Sequence, residues 1–273
     1  MRANHSTVFI AGAGHSGSTL LGLILGSRED AFYAGEAAKT RFLGDLRKPE
    51  RKRVCKLCGP GCPIWGDFRV APEPDLYEQL SRRTDRGWVI DSTKAVDWLK
   101  RQTNQVRRGG GRPILIFLQR DGRAVLNSRL RKYPERSAAT LIDQWRDKMR
   151  ETQQFYDAFE GTKLGLRYEE LATRPKETVE ALCQAIGMNF EPAMLNFGDH
   201  VHHVLGGNNG TQWQVTKETG WVKLTDRTRP YYGDHPKGIV LDLRWRDELD
   251  AQALSLFEER AGRDNEPFAW EVP

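Results

Sequence analysis

The chain has 273 residues, of which 38% are hydrophobic, a length that fits one large domain, or two, with a substantial core. It contains no apolar run near the roughly 20 residues that span a bilayer, and the first predicted strand leaves no room for a signal peptide, so we expect a cytosolic protein. The net charge of +5 favours an anionic ligand, but 42 Lys and Arg nearly balance 37 Asp and Glu, and no nucleic-acid-binding signature is present.

The first predicted elements are a strand at residues 8–11, a glycine-rich loop at residues 12–17 and a helix that begins at Ser18. This order surrounds the loop with backbone N–H groups and the positive end of a helix, which predicts a phosphate site. The alternative is a glycine-rich turn in an ordinary α/β protein. Ser18 stands where nucleotide triphosphatases carry lysine, so the loop fits a phosphate better than it fits ATP hydrolysis.

Residues 28–33 are polar and predict a connector that leads to Glu36. The Glu36 carboxylate either faces the same cleft as the loop or is a solvated acid at a helix start, where acids are favoured. Residues 41–69 form an irregular basic segment, which is either a solvated face or a lid or acceptor-binding insert.

Three of the four cysteines, Cys55, Cys58 and Cys62, crowd into that segment. A metal site would need a fourth ligand, and none follows at a usual spacing. Plain thiols, a zinc site and a redox pair all stay open. The close histidines at positions 200, 202 and 203 lack an acidic or cysteine partner at helical spacing, and we expect no metal there.

Further along the chain, strands are predicted at residues 88–90, 113–118 and 163–167, and helices at 75–84, 95–105, 137–159, 175–186 and 243–260. The run at 113–118 is continuously apolar, as a central strand covered on both faces requires. The pattern predicts an α/β fold with a central parallel sheet of four or five strands flanked by helices.

Polar residues follow two of these strands, where open α/β sheets build their sites. Lys94 is a candidate cation for the cleft, or it merely opens the next helix. Arg120 and Ser128, eight positions apart, could converge on one phosphate. The alternative is a surface Arg120 paired with Asp121.

Three motifs together resemble the sulfotransferases that use 3′-phosphoadenosine-5′-phosphosulfate (PAPS) and release adenosine 3′,5′-bisphosphate (PAP). The motifs are Gly14-His15-Ser16-Gly17-Ser18-Thr19-Leu20, then Arg120 with Ser128, then Arg167-Tyr168-Glu169-Glu170-Leu171 ahead of Pro175. The similarity covers residues 7 to about 190 and, more loosely, the Gly206-Gly207-Asn208 stretch. It implies a P-loop-like three-layer fold in a single domain, residues 1–273, with the cysteine-containing insert at about 41–69.

The resemblance also implies roles for individual residues. The loop residues Gly14, His15, Ser16, Gly17, Ser18, Thr19 and Leu20 would hold the 5′-phosphosulfate, Arg120 and Ser128 the 3′-phosphate, and Tyr168 would lie near the donor. Glu36 matches in spacing the catalytic base of the protein-tyrosine sulfotransferases, and Lys94 lies in a D-S-T-K stretch like that of bacterial and carbohydrate-directed members. Most members have Arg or Lys at the position of His15, so either His15 is protonated or Lys94 supplies the missing cation.

The resemblance predicts transfer of a sulfuryl group from PAPS to a hydroxyl of a sugar or small metabolite, with Glu36 as general base. A sulfuryl group carries less negative charge than a terminal phosphoryl group, so we expect no metal requirement. We expect a small-molecule or glycan acceptor, no nucleic-acid partner and no membrane span, which suits a bacterial type of enzyme better than the Golgi branch. The alternatives are an ATP-dependent small-molecule kinase with a degenerate loop and a nucleic-acid-binding module that uses residues 41–69.

Overall fold

A computed structural model of the chain describes residues 2–216, 221–224, 226, 229–233 and 238–271. These residues form one sheet of five parallel strands in the order β2-β3-β1-β4-β5. The strands are β1 (Ser6–Ala11), β2 (Ala31–Gly35), β3 (Trp88–Asp91), β4 (Arg112–Gln119) and β5 (Lys163–Arg167). The predicted α/β class and central parallel sheet are confirmed.

The described helices connect these strands and follow β5. They are α1 (Ser18–Leu25), α2 (Leu76–Thr84), α3 (Val96–Arg108), α4 (Gly122–Lys132), α5 (Ala138–Ala158), α6 (Tyr168–Thr173), α7 (Pro175–Ile186), α8 (Asn209–Trp213), α9 (Arg229–Gly233), α10 (Trp245–Glu248) and α11 (Ala251–Asn265). Short 3₁₀ segments lie at Ala37–Phe42, Glu50–Lys52 and Pro192–Asp199. Among the described residues, no helix is both long enough and apolar enough to cross a lipid bilayer.

The core forms around β1, the central strand, and its neighbours β3 and β4. Val8 lies in register with Ile90 of β3 on one side and Ile114 of β4 on the other, and all three side chains are fully buried. One large apolar cluster joins the sheet to α1, α2, α3 and α7, and a second joins α4, α5 and α11. The sheet is therefore covered by helices, as an all-parallel sheet requires.

The strand order places a topological switch point at β1. The chain leaves β1 toward β2 and β3 on one side and later returns to β4 on the other, which opens a crevice at the carboxyl ends of the strands. The glycine-rich loop follows β1, Glu36 follows β2, Lys94 follows β3 and Arg120 follows β4. Four of the predicted site segments thus lie at the same, carboxyl-terminal end of the strands.

Two predictions about elements are wrong. Part of the predicted connector at 28–33 belongs to β2, whose five residues are all buried: Phe32 packs on Trp65 (ring centroids 5.8 Å apart), Tyr33 lies against Gly22 of α1, and Leu205 bridges to Gly35. The predicted helix at 243–260 is two helices, because the Asp250 side chain accepts a hydrogen bond from the Ala253 amide (2.7 Å) and caps α11 as a new helix.

Candidate active site

The loop between β1 and α1 has the backbone geometry of an anion site. Gly12 and Gly17 have φ values of 137° and 91°, which side chains rarely tolerate, and a Cβ on Gly17 would lie 2.6 Å from the Tyr168 ring. No side chain caps α1 at Gly17. Helix geometry leaves the first amides of α1, those of Ser18, Thr19 and Leu20, without partners inside the helix. They are available to a bound anion.

The second predicted phosphate contact lies beside this loop. Arg120, buried at the end of β4, donates from Nη1 to the carbonyl oxygen of His15 (2.9 Å). Ser128, in the second turn of α4, has its Oγ 2.9 Å from His15 Nδ1. Asp121 does not compete for Arg120, because it caps α4 and pairs with Arg123 (2.7 Å). His15, a residue of the loop, therefore contacts both Arg120 and Ser128, which we call the Arg120–Ser128 pair.

One cavity collects most of the predicted donor-binding residues. Its walls include eight of the ten: His15, Gly17, Ser18, Thr19, Leu20, Arg120, Ser128 and Tyr168. Gly14 and Ser16 do not line it, although the Ser16 hydroxyl is buried and has no hydrogen-bond partner among the described residues. A contiguous cavity of about 530 Å³ shares His15, Ser128 and Asn208 with the first.

His15 is held as a neutral imidazole in this structure. Burial, together with the surrounding cations led by Lys132, lowers the pKa of His15 to about 3. Its backbone has a φ of 73°, in the left-handed region that non-glycine residues seldom adopt. Of the two sources of charge that the sequence left open, a protonated His15 is disfavoured before any anion binds.

Glu36 lies directly after β2 in a cationic environment. Its carboxylate is 2.9 Å from Lys39 Nζ and accepts a hydrogen bond from the Gly207 amide (3.2 Å). Burial raises the pKa of Glu36, but the Lys39 and Lys94 ammonium groups outweigh this and hold the pKa below its ordinary value. Glu36 is therefore ionised at neutral pH. It does not line the two cavities itself, but Gly207 does line the larger one.

Lys94 lies near Glu36. Its ammonium donates to the Ser92 carbonyl oxygen and interacts with the Glu36 carboxylate. Burial lowers the pKa of Lys94 to about 8, although Glu36 acts in the opposite direction. Lys94 is thus largely charged at neutral pH, and it belongs to the Glu36 cluster instead of only opening α3.

No protein-family model and no curated protein matches the chain. The solved sulfotransferase domain from the curacin biosynthetic pathway covers 98% of this chain and 99% of its own length, with 17% identity and a TM-score of 0.61. The sulfotransferase domain from the Synechococcus PCC 7002 olefin synthase covers 100% of this chain and 98% of its own (19% identity, TM-score 0.58). The chain has the sulfotransferase fold.

A third solved structure with this fold, mouse sulfotransferase SULT7A1 complexed with PAP, covers 98% of this chain and 90% of its own length, with 14% identity and a TM-score of 0.51. At these identities the similarity establishes the sulfotransferase fold.

Asp91, at the end of β3, and Thr93, two residues later, hold the backbone directly after Glu36. The fully buried Asp91 carboxylate accepts five hydrogen bonds, among them from the amide of Ala37 (3.0 Å), the hydroxyl of Tyr77 (2.8 Å) and the indole of Trp98 (2.9 Å). Thr93 Oγ1 accepts from the Ala38 amide (3.1 Å). Two side chains of the D-S-T-K stretch, those of Asp91 and Thr93, therefore fix the backbone that follows Glu36.

Sequence reasoning missed several residues of this site. Lys39 was detectable, because it stands three positions after Glu36 and can pair with it in a helical turn. No sequence pattern indicated Asp242. Its Oδ2 lies 3.5 Å from Arg120 Nη2, and its Oδ1 accepts a hydrogen bond from Arg244 Nε (2.8 Å). The amide of Asn208 donates to Thr19 Oγ1 (3.0 Å), a contact across the chain that no local pattern predicts.

Proposed function

We propose that this protein is a PAPS-dependent sulfotransferase that transfers a sulfuryl group to a hydroxyl of a sugar or another small metabolite. The observation that carries the proposal is one cavity lined both by the free amides of α1 and by the Arg120–Ser128 pair. Two anion-binding groups this close fit a nucleotide with phosphate at both its 5′ and 3′ positions.

The residues present fit such a donor. The amides of Gly17, Ser18, Thr19 and Leu20 would hold the 5′-phosphosulfate, with Tyr168 beside them. Arg120 would hold the 3′-phosphate together with the Ser128 hydroxyl; its buried Nε has no partner among the described residues. When bound, PAPS supplies the sulfuryl group that is transferred. Gly14 and Ser16 would act through the shape of the loop.

Glu36 is the base in this proposal. Its ionised carboxylate can take the proton of an acceptor hydroxyl, and general-base catalysis of this kind contributes about 10²–10⁴-fold to a rate. Because Gly207 lies in the wall of the 530 Å³ cavity and donates to Glu36, we propose that the acceptor enters from this cavity. Lys94 would supply the charge that the neutral His15 does not, and no metal ion would be needed for the transfer.

Calorimetry on the purified chain tests donor recognition. We expect PAP to bind with a micromolar or tighter Kd and adenosine 5′-phosphate to bind at least about tenfold more weakly, because it lacks the group held by Arg120. ATP with Mg²⁺ should not displace PAP. Absence of PAP binding by folded protein, or displacement by Mg²⁺-ATP, would contradict the proposal and favour a kinase.

A matched pair of variants tests the assignment of Arg120. Arg120→Lys keeps the charge but loses the fork of donors, so PAP affinity should fall at least about tenfold while adenosine 5′-phosphate affinity changes little. Arg123→Lys is the control, because Arg123 pairs with Asp121 and does not line the cavity. Transfer of labelled sulfate from PAPS to a panel of sugar and small-metabolite hydroxyls then identifies the acceptor class.

A further inference from the structure

The three cysteines of the insert meet a histidine from a distant part of the chain. Cys55, Cys58, Cys62 and His203 each present a ligand atom, and these four atoms all lie within 4.8 Å of one another. His203 Nδ1 is 3.1 Å from Cys58 Sγ and 3.4 Å from Cys62 Sγ. The cysteines are not joined in disulfides. His203 is the fourth ligand that local spacing did not offer, since it stands 141 positions after Cys62.

These distances fit a tetrahedral metal centre. Zinc binds thiolates at about 2.3 Å and imidazoles at about 2.0–2.1 Å, which places neighbouring S and N ligand atoms roughly 3.6 Å apart. The S–N distances of 3.1 and 3.4 Å are within a few tenths of an ångström of that spacing. Three thiolates and one imidazole fill four positions, and soft ligands of this kind select zinc over calcium or magnesium.

We propose that Cys55, Cys58, Cys62 and His203 bind one structural Zn²⁺ ion. Backbone groups contact two of the sulfurs: the amides of Leu57 and Cys58 donate to the Cys55 sulfur, and that of Trp65 donates to the Cys62 sulfur. The Trp65 indole also donates to the His203 carbonyl oxygen (2.9 Å) and fixes the backbone of the fourth ligand. Outer contacts of this kind orient metal ligands.

The site would hold the insert in place. Residues 43–69, all of which the structure describes, contain one three-residue 3₁₀ helix and one isolated bridge, from Cys55 to Gly59, so regular backbone pairing contributes little there. A metal that joins residues 55–62 to residue 203 closes a long loop, which is where a cross-link constrains the unfolded chain most.

The site also leads directly to the proposed base. Two residues after His203, Leu205 donates to the Ala34 carbonyl oxygen (2.9 Å) and accepts from the Glu36 amide (2.6 Å). Gly207 then donates to the Glu36 carboxylate. The metal would therefore position Glu36 through residues 203–207; this consequence rests on the proposed function, whereas metal binding does not.

Metal analysis of the full chain, purified under reducing conditions, tests the binding claim. Mass spectrometry of the elements should find about one zinc per chain. Cys58→Ser, at the least buried of the three cysteines, should lose most of it, and Cys183→Ser, at a buried cysteine in α7 outside the cluster, should retain it. Wild-type protein that is folded, reduced and offered Zn²⁺ yet holds less than about a tenth of an equivalent would overturn the proposal, as would full zinc content in Cys58→Ser.

Two measurements on the wild-type chain need no variant. Co²⁺ added to metal-free protein should give the intense visible bands of a tetrahedral site and thiolate-to-metal charge-transfer absorption. Titration of the denatured chain with a thiol reagent and a chelator should find all four cysteines reduced; loss of two thiols would indicate a disulfide and contradict a zinc site. Weak octahedral Co²⁺ bands would also contradict it.

Activity separates the two proposals. Zinc removal should lower the melting temperature and turnover while leaving PAP affinity within about twofold, because the ligands lie outside the donor cavity. Zinc binding without any sulfate transfer would leave the metal site standing and refute the proposed function. Sulfate transfer by wild-type protein that fails to bind Zn²⁺ when it is offered would support the proposed function and refute the metal site.

Discussion

The sharpest test of the proposed chemistry is Glu36→Gln. The amide side chain has nearly the size of the carboxylate and can still accept the Gly207 hydrogen bond, but it cannot take a proton from a hydroxyl. Loss of a positioned base costs about 10²–10⁴-fold in rate, which corresponds to roughly 2.7–5.4 kcal/mol. The side chains of the Glu36–Lys39 pair are about one-third exposed (31% and 33%), so its loss should change the free energy of unfolding by at most about 1 kcal/mol.

The assay follows transfer of labelled sulfate at saturating PAPS and acceptor, with calorimetry of PAP on the same preparations. We expect kcat to fall at least about a hundredfold and the Kd of PAP to stay within about twofold, because Glu36 does not line the donor cavity. Glu29→Gln, at an exposed glutamate shortly before β2, is the control and should keep wild-type turnover.

Two results would refute this reasoning. A kcat within about threefold of wild type would remove Glu36 as the base. A fall in kcat accompanied by an equal loss of PAP affinity would mean that the substitution acts on the phosphate loop instead, through Gly207, Asn208 and the contact of Asn208 with Thr19.

Three further predictions follow from the same site. The Lys94 ammonium is charged below its pKa of about 8 and neutral above it. We therefore expect kcat/KM for PAPS to fall above about pH 8 in the wild type and to stay flat to higher pH in Lys94→Arg. A pH–rate profile without that wild-type decline would contradict the role of Lys94. Ser128→Ala should weaken PAP binding by about 2–10-fold and leave adenosine 5′-phosphate unchanged in calorimetry; equal losses for both nucleotides would show that Ser128 does not read the 3′-phosphate. Asp91 accepts five hydrogen bonds on its two carboxylate oxygens, and in Asp91→Asn one of these oxygens becomes an NH₂ group that cannot accept. The free energy of unfolding, measured by thermal or urea denaturation, should therefore fall by about 2–4 kcal/mol. An unchanged midpoint would refute the anchoring role of Asp91.

The parts of the site that sequence reasoning predicted are those determined locally. The loop at residues 12–17 and the start of α1 are fixed by glycine conformations and by their position between a strand and a helix. Arg120 was predictable because β4 is a continuous apolar run that ends at Gln119. In both cases a neighbouring element in the sequence sets the geometry.

The parts that it did not predict depend on contacts between distant segments. β2 was missed because Arg28, Glu29 and Asp30 make its approach polar, and because its contacts include the distant Trp65 and Leu205. The partnership of Cys62 with His203 and that of Arg120 with Asp242 join positions more than a hundred residues apart. Chain folding alone brings these groups together, so no local spacing can indicate them.

The placement of charge explains the composition of the phosphate loop. A nucleotide triphosphatase puts a lysine within its loop because the bond that breaks there lies between highly charged phosphates. In this chain the loop has Ser18 at that position and a neutral His15, while Lys39 and Lys94 lie beside Glu36 instead. Cations in that position lower the pKa of Glu36, and in the proposed sulfuryl transfer they would stabilise charge at the transferred group. In the proposed reaction, Lys39 and Lys94 beside Glu36 would thus supply the positive charge that a loop lysine supplies in a nucleotide triphosphatase.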